Sequence, residues 1–125
     1  MQTLSDRVKE NFDFMFKDYG FVFSEKPDDK TDWVVVLICD FLRIRFVEDR
    51  ANIFADISFT SDPDVWYEIS SVLSLMNKTR GIADEVRTKN SFSSLRSVLK
   101  RNLGELIISL NKEDFRSAVT RMKSI

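Results

Sequence analysis

The side chains able to do chemistry in this chain are mostly carboxylates. Asp28 and Asp29 are adjacent, Glu48 and Asp49 are adjacent, and Asp62, Asp64 and Glu68 form the densest acidic group. Paired carboxylates serve as general acid and base when burial separates their pKa values, and grouped carboxylates hold hard cations. The first pair sits in the polar stretch "PDDKTD" and the second at a hairpin tip, where carboxylates stay solvated. The spacing of the third group matches no metal-binding loop. Histidine is absent, which removes the commonest general base, nucleophile partner and metal ligand together. The serines therefore have no imidazole to activate them. Cys39 is the single cysteine, so neither an internal disulfide nor a cysteine-rich zinc site is available. It falls in an apolar run, where a small buried hydrophobe is the simpler reading. Three glycines leave no phosphate-cradling loop, and no nucleophile elbow appears. The sequence points away from catalysis, with no cofactor and no metal expected.

Four strands and four helices are expected to carry these residues. Leu4, Val8, Phe12 and Met15 recur at helical spacing, which predicts one amphipathic helix over residues 3–18, ended by Gly20 in a left-handed C-cap. "FVFSEK" reads as a short first strand. "WVVVLIC" is apolar on both faces: Val34, Val36 and Ile38 on one, Val35, Leu37 and Cys39 on the other. Such a strand is normally central and covered on both sides, here by helices on one and by a partner or a long tail on the other.

The stretch "LRIRFVEDRANIFADISF", residues 42–59, alternates as two strands and a turn. Leu42, Ile44 and Phe46 must share a face with Ile53, Ala55 and Ile57, so paired residue numbers must sum to an odd value. A two-residue turn at Asp49-Arg50 then pairs Phe46 with Ile53, Ile44 with Ala55, and Leu42 with Ile57. On the opposite face it pairs Arg43 with Asp56 and sets Arg45 against Phe54. These charges are expected to mark the wet side of a sheet.

"TSDPDVWYEISSVLSLMN" reads as a helix capped by Ser61 or Asp62, with Pro63 in the first turn and Asp64 at the positive end of the dipole. Its inner stripe is Trp66, Ile69, Leu73 and Met76, which leaves Tyr67 exposed. A loop or short helix, "NKTRGIADEVRTKN", precedes a helix from Ser91 to Leu110 with the stripe Phe92, Leu95, Leu99, Leu103, Leu106 and Leu110. A last helix begins near Asn111, which with Asp114 resembles a capping pair. The expected fold class is α+β: one domain over residues 1–125, a four-stranded antiparallel meander sheet with an N-terminal helix and three C-terminal helices, in the order α-β-β-β-β-α-α-α.

The 125 residues suffice for a core without staples, and eleven phenylalanines suit bulky packing between sheet and helices. "MQTLSDRVKE" lacks the apolar core of a signal peptide, and no run approaches the length of a membrane span, so a cytoplasmic protein without membrane contact is expected. Net charge is −1, but residues 1–77 carry 8 Lys/Arg against 15 Asp/Glu and residues 78–125 carry 11 against 5, giving −7 and +6. Opposite patches of this kind attract each other or separate partners. Tyr67 flanked by Asp62, Asp64 and Glu68 is a candidate anchor for a basic partner. Arg96, Lys100, Arg101 and Lys89 form the opposite candidate, a nucleic-acid footprint without interleaved aromatics.

Three segments, "FMFKDYGF" at 14–21, "LRIRFVEDRANIFADIS" at 42–58 and "DPDVWYEISSVL" at 62–73, resemble a group of small bacterial proteins that look like immunity proteins of polymorphic or contact-dependent toxin systems. The resemblance covers roughly residues 12 to 75. In that pattern glycine often follows the arginine of the hairpin turn; Ala51 stands there in this chain. The resemblance implies stoichiometric neutralisation of a toxin domain, many of which are basic nucleases suited to an acidic face. The alternatives are a nucleic-acid-binding or regulatory module using the basic C-terminal helices, and a secretion-chaperone-like homodimeric adaptor. Either a monomer or a homodimer fits the sequence.

Overall fold

The computed structural model describes residues 2–82 and 90–122, which form five helices and one five-stranded antiparallel sheet. In chain order these are α1 (Leu4–Asn11), α2 (Asp13–Tyr19), β1 (Val22–Phe23), a 3-10 turn (Pro27–Asp29), β2 (Val34–Cys39), β3 (Leu42–Asp49), β4 (Asn52–Phe59), β5 (Asp62–Glu68), α3 (Ile69–Thr79), α4 (Phe92–Leu110) and α5 (Glu113–Thr120). The strands lie side by side in sequence order, as a meander requires. Among the described residues, no helix is long and apolar enough to cross a membrane.

The α+β class and the antiparallel meander agree with the sequence. The strand count does not, because residues 62–68 are β5 rather than the start of a helix. Only Thr60 and Ser61 separate Phe59 from its partner Asp62, so the chain turns back onto β4 at once. Beyond an irregularity, Tyr67 pairs with Ile57 and Glu68 with Asp56. Val65 and Tyr67 then reach the core two residues apart while Trp66 and Glu68 point to the other face, which is strand periodicity. The helix begins only at Ile69, with Glu68 as an uncapped N-cap. Ser61, Asp62 and Pro63 therefore mimic a helix start while forming a tight turn and an edge strand, where proline is tolerated.

Residues 3–18 also divide. α1 opens with a full capping box, in which Thr3 Oγ1 accepts from the Asp6 amide and the Asp6 carboxylate accepts from the Thr3 amide. The helix breaks at Phe12, whose backbone leaves the helical region while its ring is fully buried and stacks on Phe46 at 4.5 Å. α2 ends at Gly20, which is left-handed at φ 75° as expected. At the other end of the chain α5 starts after Lys112, without a side-chain cap. Asn111 caps the C-terminus of α4 instead of pairing with Asp114.

All five helices lie on one face of the sheet. Leu4, Val8, Phe12 and Met15 meet Val35, Leu37, Ile44, Phe46, Ile53 and Ile57 of the strands, and the leucine stripe of α4 is buried as expected. The other face is not bare. Ser24 donates its amide to Val36 O and Thr31 to Val34 O, so the segment after β1 runs along β2; its Asp29 reaches Arg43 on that face, where Val36 is 1% exposed. The cover foreseen for a strand apolar on both sides is this stretch of the same chain. β1 is shorter than "FVFSEK" because regular pairing ends at Phe23, the Ser24 amide bond to Val36 O being the last contact of that ladder.

The hairpin of β3 and β4 has the expected parity and a different register. Phe46 pairs with Ala55, Ile44 with Ile57, and Leu42 with Phe59, two residues on from the expected pairs. The turn centres on Arg50 and Ala51, not on Asp49-Arg50, and both central residues are left-handed, at φ 51° and 67°. This is the geometry that two-residue hairpins favour, since it follows the twist of the strands. It favours glycine, whereas Ala51 carries a Cβ. Replacing Ala51→Gly is expected to raise stability by about 0.5–1 kcal/mol, net of the entropy glycine adds to the unfolded chain. Chemical denaturation should show a higher midpoint at unchanged slope; a lower midpoint would exclude a left-handed Ala51.

α1 is fastened to the sheet by Arg7, whose guanidinium donates to both carboxylate oxygens of Glu48, one bond being 2.6 Å. That hydrogen bond holds the Glu48 carboxyl below its ordinary pKa, against a smaller opposing effect of burial. The proton therefore binds the unfolded chain more tightly, and the pair contributes above the unfolded value of about 4.3 and is lost as pH falls below it. Glu48→Gln should cost roughly 0.5–1 kcal/mol at neutral pH and nothing at the acid end, flattening the acid limb of a stability–pH curve. An equal loss at both ends would rule the pair out as the cause.

Candidate interaction surface

Two arginines on the face of the sheet opposite the five described helices organise the candidate site. Arg43 and Arg45 are successive outward residues of β3, and both guanidiniums stack against the indole of Trp66 from β5, at 4.9 and 4.3 Å from the ring centroid. Arg43 is only 5% exposed. It donates to Asp29 Oδ2 at 2.9 Å, to the Pro63 carbonyl at 2.8 Å and to Ser58 Oγ at 3.3 Å. Ser24 Oγ, 2.6 Å from Asp29 Oδ2, donates to the same carboxylate. Arg45 grips Asp56 Oδ2 through Nε at 3.1 Å and Nη2 at 2.7 Å.

The sequence paired Arg43 with Asp56 and laid Arg45 over Phe54. The two-residue change of register moves Asp56 opposite Arg45 and brings Ser58 opposite Arg43. Arg43 then turns to Asp29, a residue expected only to be solvated in a turn. Burial pushes the Asp56 carboxyl above its ordinary pKa, with Arg45 pulling it back and the neighbouring Glu68 charge adding to the rise. Among the described residues, every buried side-chain nitrogen and oxygen has a hydrogen-bond partner. The charges of this inner layer are spent on one another.

The four residues expected to meet a partner divide. Asp62, Asp64 and Glu68 are exposed on β5, the strand at the sheet's edge. Glu68 accepts from the Ser70 hydroxyl, and none of the three forms an ion pair among the described residues. Tyr67 is not exposed: at 4% it belongs to the core, packed against Phe59 at 6.2 Å, because an odd-numbered position on this strand faces inward. Burial raises its pKa, with the Asp62 charge as a smaller cause. The aromatic that accompanies Asp64 and Glu68 on the outer face is Trp66, whereas Asp62 pairs with the core residue Phe59 beyond the irregularity. Alternation of Val65-Trp66-Tyr67-Glu68 was the signal that could have found it. Asp64 and Trp66 line a shallow cleft of about 420 Å³ with Lys26, Pro27, Asp28, Asp29, Arg43 and Pro63.

The basic candidate is less isolated than the sequence implied. Arg96, Lys100 and Arg101 are exposed on α4, while Lys89 lies outside the described residues. Arg96 and Lys100 share a groove with Glu10, Asp13 and Asp18 of the N-terminal helices, and Lys100 Nζ sits 5.9 Å from the Phe14 ring. Carboxylates on the opposite wall weaken the field available to a phosphate backbone. Cys39 is half-buried, its thiol donates to the Tyr19 carbonyl at 3.0 Å, and burial with the adjacent Asp40 raises its pKa. Little thiolate forms there at neutral pH. Among the described residues, no three histidine, cysteine or carboxylate side chains are arranged to hold a metal ion.

Scanned against protein-family models, curated proteins and solved structures, the chain gives no significant match.

The inner and outer carboxylates should respond differently to truncation. Asp29→Ala strips a buried guanidinium of its charge partner and is expected to cost about 2–4 kcal/mol, whereas Asp64→Ala should stay within about 0.5 kcal/mol. Thermal unfolding of the two variants decides it. Equal effects would mean that Arg43 is not buried against Asp29.

Proposed function

We propose that this chain is a non-catalytic binding protein that neutralises a bacterial toxin by stoichiometric binding in the cytoplasm. The observation that carries this reading is the row of exposed carboxylates Asp62, Asp64 and Glu68 on an edge strand, none of them used in an ion pair among the described residues. Three further carboxylates, Asp29, Glu48 and Asp56, are each matched to an arginine and hold the fold. Acidic side chains left over from folding on one edge suit a basic partner through steering and complementary potential. The resemblance of residues 12–75 to immunity-like proteins gives that partner a class, a toxin domain. Nucleic acid is the weaker partner, since the cations of α4 face carboxylates of α1 and α2 across one groove.

Co-expression with the toxin domain encoded next to this gene tests the proposal. Cells carrying the pair are expected to survive, and the two chains to co-purify in equal amounts. Death of the co-expressing cells, or recovery of the toxin without this chain, would refute it.

A further inference from the structure

We infer that the outer edge of β5 is a strand-docking site, and that its occupant is an extended partner segment with basic side chains at alternate positions, added as a sixth strand. This deepens the toxin-neutralising proposal and rests on it for the partner's class. The two edges of the sheet differ. On the β2 side the chain closes its own edge: β1 pairs at Ile38 and Leu37, Ser24 and Thr31 donate to Val36 and Val34, and Lys30 bridges to Val35. On the β5 side, among the described residues, no backbone hydrogen bond joins residues 62–68 to any segment other than β4. An edge strand left open presents a row of amides and carbonyls to an incoming strand.

The side chains on that edge choose the occupant. Asp64, Trp66 and Glu68 alternate along the outer face, so a strand beside them places every second side chain within reach of a carboxylate or the indole. Lysine or arginine at those positions gains both ion pairs and a cation–π contact. A second copy of this chain is the poorer occupant. A two-fold pairing centred on Val65 sets Asp62 of each copy opposite Glu68 of the other, and like charges facing across strands are unfavourable. The same carboxylates that keep the edge from pairing with itself select a cationic strand.

The full chain, isotope-labelled, is titrated with a peptide alternating lysine and valine. Two further versions carry N-methyl groups on alternate backbone amides, one version in each of the two frames. An added strand bonds through one frame only, so one methylated peptide should bind about as well as the parent and the other should lose about tenfold or more. Amide shifts should concentrate on residues 62–68, and Glu68→Lys or Asp64→Lys should weaken binding by about tenfold. Equal binding of both methylated peptides, shifts centred on α4, a stable dimer paired through β5, or no binding at all would each overturn the site. The underlying proposal fails separately: a toxin captured and neutralised regardless of Asp64→Lys and Glu68→Lys keeps the neutralising role and removes the docking edge. Frame-dependent peptide binding without neutralisation does the reverse.

Discussion

The burial of Arg43 is the constraint from which the exposed side of this molecule follows. A guanidinium at 5% exposure, on the face opposite the five described helices, must find its acceptors within the chain. It finds them in three places: Asp29 from the segment after β1, the Pro63 carbonyl from β5, and Ser58 from its neighbour β4. One side chain thereby fastens to the sheet's centre the two parts that pairing holds least, the irregular 24–33 stretch and the bulged start of β5. Trp66 closes the arrangement by lying against both guanidiniums. Ion pairs in that setting are strong when complete and costly when broken.

This inner network sorts the carboxylates of the acidic half. Those that reach an arginine serve the fold. Among the described residues, those on the outer edge of β5 have no such partner and project from a strand paired on one side only. An acidic half and a basic half could have neutralised each other across the molecule, and at the groove between α2 and α4 they partly do. At β5 they do not, which is why that edge, rather than the basic helix, carries the functional proposal. The phenylalanines also divide by task. Phe12 and Phe46 stack in the core, whereas Phe23 and Phe41 lie under Lys30 and Arg116 at 4.7 and 4.8 Å.

Much of the architecture was legible in the sequence where one physical signal acted alone. The leucine stripe of α4, the left-handed Gly20, and the parity of the β3–β4 hairpin follow from periodicity and sterics that tertiary contacts did not override. The misses arise where two signals compete. Ser61, Asp62 and Pro63 have the chemistry of a helix cap, and the short alternation of Val65 and Tyr67 was too weak to outvote it. The apolar spacing from Leu4 to Met15 survives a break at Phe12, because a kinked pair of helices presents almost the same face as a straight one. The register of the hairpin turned on Ala51, which tolerates a conformation normally given to glycine. Of the candidate site, Asp62, Asp64 and Glu68 are exposed as the sequence leads one to expect, but on a strand; Trp66, not Tyr67, is therefore the outward aromatic, since a strand exposes alternate residues and a helix does not.

A solution NMR study of residues 58–70 tests the central claim, that β5 is an edge strand whose Trp66 covers two arginines. Cross-strand contacts between Tyr67 and Ile57, together with guanidinium protons of Arg43 and Arg45 shifted by the indole ring and slow to exchange, are the expected result. Sequential helical contacts from Asp62 through Glu68, with both guanidiniums at free-arginine positions, would contradict it.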